Sequence, residues 1–152
     1  MKRMKYTLCL LAALALTGCG KTTEINPAET VAQMQEKLTF TDQMAELDKD
    51  GACRVYGVDE ALVDDCAGLR GSGATAESFS VWKATDTDSA EELEEQLESF
   101  LDSWIEGYSD YKPEEVPKLE SAVLEQEGKY IILCVSADNE AAEPLIENAL
   151  HP

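Results

Sequence analysis

Carboxylates are the side chains best supplied for chemistry in this sequence, and the other common catalytic types are scarce. The chain has 31 Asp and Glu residues but a single histidine, His151, so histidine-centred catalysis and histidine-rich metal sites have almost no material. It contains no Gly-x-Ser-x-Gly motif and no Cys–His arrangement. None of its many carboxylate pairs stands out as glycosidase-like. We therefore expect a protein that is not an enzyme and that carries no cofactor.

One acidic segment, Glu46 to Gly51, imitates the first half of a calcium-binding loop. Acids occupy its first, third and fifth positions, and glycine occupies its sixth. The twelfth position must supply a bidentate carboxylate, and here that position is Gly57. We therefore interpret the segment as a short acidic connector and expect no metal site.

The densest acidic run lies between Ala84 and Tyr111, where the sequence has ten Asp and Glu residues and no Lys or Arg. The simpler interpretation is the solvated face of a helix. Like charges repel along such a face, so the packing of apolar residues must stabilise the helix. The alternative is a surface that binds cations, basic peptides or a cationic envelope polymer. The residues that would form this interaction face are Glu91, Glu92, Glu95, Glu98 and Asp102.

The first 19 residues read MKRMKYTLCLLAALALTGC, a pattern typical of an export signal. Lys2, Arg3 and Lys5 form a positive region, and a short apolar stretch follows from Leu8 to Leu16. A membrane-spanning helix needs about 20 apolar residues, so this stretch is too short to span and matches a secretory signal instead.

The signal ends in Leu16-Thr17-Gly18-Cys19, which resembles the lipobox of bacterial lipoprotein precursors. The resemblance implies cleavage between Gly18 and Cys19 and attachment of diacylglycerol to the Cys19 thiol. Each buried CH₂ of an acyl chain contributes about 0.8 kcal/mol, and two or more chains give a stable anchor. We therefore predict a signal peptide over 1–18, a lipidated tether over 19–27 and a single domain over 28–152.

Composition and charge define the partners that this domain can have. With 44% hydrophobic and 28% charged residues over 152 positions, the chain has the composition of one globular domain. Its formal charge of −19 argues against nucleic-acid binding, which needs Lys and Arg to neutralise phosphates. Removal of residues 1–18 takes away three bases and no acid, so the charge becomes more negative still. The expected partners are the membrane, through lipid on Cys19, and a cationic envelope component or a protein.

Three cysteines remain in the domain once Cys19 is assigned to the lipid. Cys53, Cys66 and Cys134 are an odd set without a Cys-x-x-Cys motif, so a disulfide framework is not indicated. Cys53 and Cys66 can pair across a short loop. The alternative is that Cys66 and Cys134 are small buried apolar residues, as free cysteines often are.

Hydrophobic periodicity predicts two helices in the first two thirds of the chain. The first covers 27–38, where Asn26 is a natural N-cap and proline occupies the first helical position. The second covers about 89–108, because its apolar residues recur at helical spacing. Asp88 is the expected cap of this second helix.

The remaining elements predict an antiparallel sheet. A last helix is expected over 138–150, at least from Pro144 onward, because proline cannot donate a hydrogen bond inside a helix and can delay its start. The run from Tyr130 to Val135 is apolar at every position and is expected to be an interior strand. The four predicted strands, which pair through tight turns, are Cys66 to Ser72, Ser78 to Ala84, Ala122 to Gln126 and Lys129 to Ser136.

This order of elements predicts an α+β fold. We expect an antiparallel sheet of about four strands, in the order ββαββα, with helices packed on one face and an N-terminal helix in front.

At this level of detail the chain resembles a family of short Gram-positive lipoproteins known as a domain of unknown function (number 4358). The resemblance covers roughly Val31 to Leu150 and implies an exported, anchored domain. It implies no activity, so no catalytic residue is transferred from it. The similar segments are Val55-Tyr56-Gly57-Val58-Asp59, Gly71-Ser72-Gly73-Ala74, Glu77-Ser78-Phe79-Ser80-Val81-Trp82-Lys83-Ala84, Tyr111-Lys112-Pro113-Glu114-Glu115 and Gly128-Lys129-Tyr130-Ile131-Ile132-Leu133.

The function expected from these observations is that of a membrane-anchored lipoprotein on the extracytoplasmic face, with an accessory or interaction role at the cell envelope. The rival classes are an envelope protein that binds a small ligand or a cation, and an envelope hydrolase. A receptor for a small ligand needs an apolar cleft with converging polar groups. A chain of this size leaves little room for such a cleft beyond its core.

Overall fold

Five strands form one antiparallel sheet in the computed structural model, which describes residues 24–151. In chain order they are β1 (Ala45–Leu47), β2 (Val63–Arg70), β3 (Ser78–Ala84), β4 (Val123–Glu127) and β5 (Tyr130–Val135). They lie in the order β1-β2-β3-β5-β4, so β1 and β4 form the two edges. Every neighbouring pair is antiparallel, which confirms the predicted α+β class.

Helices account for most of the remaining structure within residues 24–151. In chain order they are α1 (Pro27–Gln35), α2 (Lys49–Tyr56), α3 (Thr87–Tyr111), α4 (Val116–Glu120) and α5 (Asn139–Leu150). Two single turns of 3₁₀ helix, Glu60–Leu62 and Pro113–Glu115, lead into β2 and α4. The N-terminal helix α1 is capped by Asn26, whose side chain accepts a hydrogen bond from the Glu29 amide at 3.1 Å, as expected.

β5 lies between β3 and β4, which confirms the prediction of an interior strand. All six of its residues are buried because side chains pack against both of its faces. A two-residue turn joins β4 to β5, and Gly128 takes φ +59° there. Glycine adopts this left-handed conformation without strain, which explains its place at the turn.

Helices cover both faces of the sheet, and the expectation that they pack on one face is wrong. On one face Val81 and Ile132 pack in a cluster with residues of α1 and α5. On the other face Trp82 and Ile131 pack in a cluster with residues of α2 and α3. Successive strand residues point to opposite faces, and β3 and β5 are apolar at both. Each face therefore needs its own cover.

The acidic connector predicted over 46–51 is in fact the end of β1 and the first turn of α2. In β1, Leu47 pairs with Gly68 of β2, which adds a fifth strand to the four that were predicted. Asp48 caps α2, and its carboxylate accepts a hydrogen bond from the Gly51 amide at 2.8 Å. A strand of three residues is too short to show a periodicity of two, so the sequence pattern did not reveal it.

The long helix α3 begins earlier than predicted and has a different cap. Asp86, not Asp88, occupies the N-cap position, and its carboxylate accepts a hydrogen bond from the Ser89 amide at 2.8 Å. Asp88 lies in the first turn, where a negative charge interacts favourably with the helix dipole.

The last helix, α5, begins at Asn139 although Pro144 lies inside it, so the expected delay is absent. The Asp138 side chain caps the helix by accepting from the Ala141 amide at 3.0 Å. Pro144 removes one internal hydrogen bond. The buried residues Ala142 and Ile146 on either side of it hold the helix against the sheet.

Candidate functional site

The acidic face predicted on α3 is present and solvent-exposed. All five residues proposed for it are exposed, and no Lys or Arg of the described residues forms an ion pair with any of them. The acids of α3 also lie beside the edge strand β4. The pKa of Glu94 is raised, mainly by partial burial and then by the nearby charges of Glu98, Glu125 and Glu91. Negative charge therefore accumulates where α3 passes β4.

The most highly organised polar site lies at the end of the sheet where the 71–77 loop connects β2 to β3. Glu77, with 0% of its surface exposed, accepts four hydrogen bonds there. They come from the Thr41 amide at 2.7 Å, the Thr41 hydroxyl at 2.6 Å, the Asp42 amide at 2.9 Å and Lys118 Nζ at 3.0 Å. Burial alone would raise the pKa of Glu77, but the bonds from Thr41, Asp42 and Lys118 hold it below its ordinary value. Glu77 is therefore ionised at neutral pH.

Lys118 of α4 joins two buried carboxylates in this site. Its ammonium lies 3.0 Å from Glu77 and 3.0 Å from Glu115, which is 7% exposed. Glu115 also accepts a hydrogen bond from the Ala76 amide in the loop, at 3.0 Å. Burial acts to lower the pKa of Lys118, but the carboxylates of Glu115 and Glu77 raise it. Lys118 therefore stays protonated and bridges Glu77 and Glu115.

Asp42 and Tyr108 hold the outer part of the same loop. The Asp42 carboxylate accepts from the Ser72 amide and hydroxyl, both at 2.9 Å, and from the Thr75 hydroxyl at 3.1 Å. The Tyr108 hydroxyl, near the end of α3, donates to the Thr75 carbonyl at 2.7 Å. The 71–77 loop is thereby tied to three separate parts of the chain.

This arrangement fixes the backbone of the 71–77 loop and leaves Glu77 little capacity to act as a catalytic acid or base. A carboxylate has about four acceptor sites, and Glu77 uses all four on donors within the protein. A buried, ionised and fully bonded carboxylate has no proton to donate and no lone pair directed at solvent. We therefore assign Glu77, Lys118 and Glu115 the role of a structural clamp on the loop.

Sequence analysis did not identify this clamp. Glu77 stands alone at the start of an apolar strand, and Lys118 is one base among many acids. A single acid directly before a strand is the only sign of the clamp in the sequence. Within residues 24–151, no group of three or more His, Cys, Asp or Glu residues is placed to hold a metal ion.

The three cysteines of the domain are free and buried. Cys134 lies in β5, and burial raises the pKa of its thiol to about 12. Burial also raises the pKa of Cys66. Thiols with raised pKa values are poor nucleophiles and poor metal ligands. The pairing of Cys53 with Cys66, which the sequence left open, is not formed in the structure.

The predicted lipid site, Gly18 and Cys19, lies outside the described residues, and so does most of the predicted tether. The first described residue, Glu24, contacts Lys83 near the end of β3, with 3.1 Å between Oε1 and Nζ. Lys83 also pairs with Asp64 at 3.0 Å. Because β3 begins at the 71–77 loop and runs away from it, the chain joins the fold at the end of the sheet opposite that loop.

These features define a class of protein, namely an α+β domain with one five-stranded antiparallel sheet between two layers of helices. Residues 36–136 match the family model described as Domain of unknown function (DUF4358), and the chain belongs to that family. A comparison with curated proteins and one with solved structures found no similar protein. Within residues 24–151, none of the helices combines the length and the apolar character that crossing a membrane requires.

Proposed function

We propose that this protein is a lipid-anchored lipoprotein of the extracytoplasmic face, with a non-enzymatic accessory or interaction role at the cell envelope. The observation that carries the proposal is the sequence of the first 19 residues. A positive region, a short apolar stretch and Leu16-Thr17-Gly18-Cys19 follow one another in the order that lipid attachment requires. An anchor of two or more acyl chains on Cys19 is then stable.

The position of Glu24 supports this arrangement. Glu24 lies five positions after Cys19, so the link between them reaches about 18 Å at most. An anchor on Cys19 would therefore keep the Lys83 end of the sheet close to the lipid headgroups. The 71–77 loop, at the other end, would face away from the membrane.

The clamp supports an interaction role over a hydrolytic one. The most buried carboxylates of the described domain, Glu77 and Glu115, are occupied with loop amides and with Lys118. A hydrolase needs a carboxyl group that can exchange a proton with a bound substrate. The acids that stay free are those exposed on the surface, where they can meet a partner.

Lipid labelling of cells that express the protein tests the anchor. The wild-type chain should incorporate a palmitate analogue, and Cys19→Ala should abolish the incorporation and leave uncleaved precursor. Cys9→Ala is the matched control, because Cys9 lies in the signal and should leave both labelling and cleavage unchanged. Equal labelling of Cys19→Ala and wild type would refute the lipoprotein assignment.

A further inference from the structure

The outer edge of β4 is a free hydrogen-bonding edge. Within residues 24–151, β4 pairs with β5 alone, and no strand lies on its other side. Glu127 and Tyr130 flank the two-residue turn and are paired, so they exchange both backbone hydrogen bonds. Hydrogen-bonded and non-bonded pairs alternate along an antiparallel ladder. Leu124 and Gln126 therefore direct their backbone N–H and C=O groups away from β5.

A groove runs beside this edge, between β4 and the start of α5. Its volume is about 340 Å³, and its walls come from 121–125 and from Asn139, Glu140 and Glu143. Val123 is buried in the cluster that includes α5 and gives the groove an apolar base, whereas Leu124 is half-buried and packs on the other face with residues of α2 and α3. Glu125, Glu140 and Glu143 are exposed beside it. The free edge thus has an apolar strip next to it and carboxylates around it.

The surroundings of the edge are acidic on both sides. The carboxylates of Glu140 and Glu143 lie on the α5 side, and Glu94 and Glu98 lie on the α3 side. None of these four residues takes part in an ion pair within the part of the chain that the structure describes. Lys129, in the turn that ends β4, is the base nearest along the chain.

We propose that the edge of β4 docks an extended polypeptide segment in which Lys or Arg alternates with apolar residues. The segment adds a sixth strand, and its backbone bonds to Leu124 and Gln126. Its cations face Glu125, Glu140 and Glu143, while its apolar residues follow Leu124. This extends the interaction role proposed above by naming a surface and a partner class, and it does not depend on the lipid.

Charge favours a basic segment over a second copy of the chain as the partner that pairs with β4. Two copies that paired through β4 would meet by a twofold axis, and each would present the same surface to the other. The acids along one edge would then face the acids along the other, which costs free energy. A basic segment meets complementary charge instead, and strand addition to a free edge is a common mode of peptide recognition.

Binding of a defined peptide to the full-length chain in a non-ionic detergent tests the proposal. The probe is fluorescein-labelled (Lys-Val)₄ amide, followed by fluorescence anisotropy. We expect saturable binding at low salt that weakens about tenfold or more at physiological salt, because screening reduces the attraction. A (Lys-Pro)₄ amide of equal charge should bind at least about tenfold more weakly, because proline lacks the N–H that a ladder uses. Equal binding of the two peptides would overturn strand addition, and so would the absence of saturable (Lys-Val)₄ binding.

Two sets of variants locate the site. Gln126→Pro removes an outward N–H that β5 does not use, and it should abolish binding, whereas Gln126→Thr keeps the N–H and should bind like wild type. The triple variant Glu125→Gln, Glu140→Gln and Glu143→Gln should bind about tenfold more weakly, whereas Glu46→Gln at the opposite edge should have no effect. Full binding by Gln126→Pro would overturn the proposal, and so would a β4-dependent dimer in sedimentation, because the edge would then serve a second copy.

Discussion

The Lys118 ammonium lies 3.0 Å from the Glu77 carboxylate, although 41 positions separate the two residues in the chain. Their contact holds α4 against the residue that directly precedes β3. Since Glu77 also bonds the amides of Thr41 and Asp42, one carboxylate holds three chain segments at one end of the sheet. We expect this pair to govern the stability of that end.

Removal of the Glu77 charge should destabilise the fold strongly. Glu77→Gln replaces one of the two buried acceptor oxygens with an NH₂ group, so either the amides of Thr41 and Asp42 or Lys118 and the Thr41 hydroxyl lose their acceptor. Breaking a buried, charged interaction in this way costs roughly 3–5 kcal/mol. Glu114→Gln, at an exposed position next to Glu115, should change the free energy of unfolding by less than about 0.5 kcal/mol. Denaturant unfolding of both variants measures the difference, and equal midpoints would contradict the role assigned to Glu77.

The same carboxylate should make stability depend on acid pH. The pKa of Glu77 is held below its ordinary value of 4.5 in the folded state. The ionised form therefore stabilises the fold above that ordinary value, and this contribution is lost as pH falls through the lowered pKa. Wild type should lose stability below about pH 5 more steeply than Glu77→Gln, so the two should converge in acid. Unfolding midpoints between pH 7 and pH 3 test this, and parallel curves would be the adverse result.

A charge in the interior strand should unfold the domain. Ile132 is completely buried in β5, between β3 and β4. In Ile132→Asp an unpaired buried charge costs several kcal/mol, against a total stability of about 5–15 kcal/mol for a typical domain. Ile132→Val is the matched control and should cost about 0.5–1.5 kcal/mol. Thermal melting decides, and an Ile132→Asp variant that melts like wild type would show that the strand is not interior.

The exposed acids of α3 should be dispensable for folding. Neutralisation in the variant Glu92→Gln, Glu95→Gln and Asp102→Asn relieves like-charge repulsion and should raise stability by a few tenths of a kcal/mol per pair. Calcium and the (Lys-Val)₄ peptide should titrate the variant and wild type alike. Saturable binding that wild type shows and the variant lacks would instead make the α3 face the binding surface.

Elements with a strong periodic signal were predictable, and those that depend on distant contacts were not. The apolar run of β5 and the helical spacing in α3 are local properties, so both elements were predicted close to their observed bounds. β1 has three residues and is defined by its pairing with β2, which no local pattern reveals. The cover on both faces follows from β3 and β5 together, once their order in the sheet is known.

For the candidate site, too, only the features that are local in sequence were predictable. The acidic character of α3 can be seen in the composition, and the structure confirms that its five residues are exposed. The clamp joins Glu77 to Thr41, 36 positions before it, and to Lys118, 41 positions after it. Such contacts depend on how the chain returns to one end of the sheet. Local sequence patterns carry no record of that path.

The first and last helices of the domain, α1 and α5, cover the same face of the sheet, and this determines where the protein can be cut. The family match spans residues 36–136, which leaves out both helices. A fragment with those limits would keep α2 and α3 on one side and expose Phe79, Val81 and Ile132 on the other. Such a bare apolar face favours aggregation. The unit that folds therefore extends beyond the segment that the family shares, from Ile25 to Leu150.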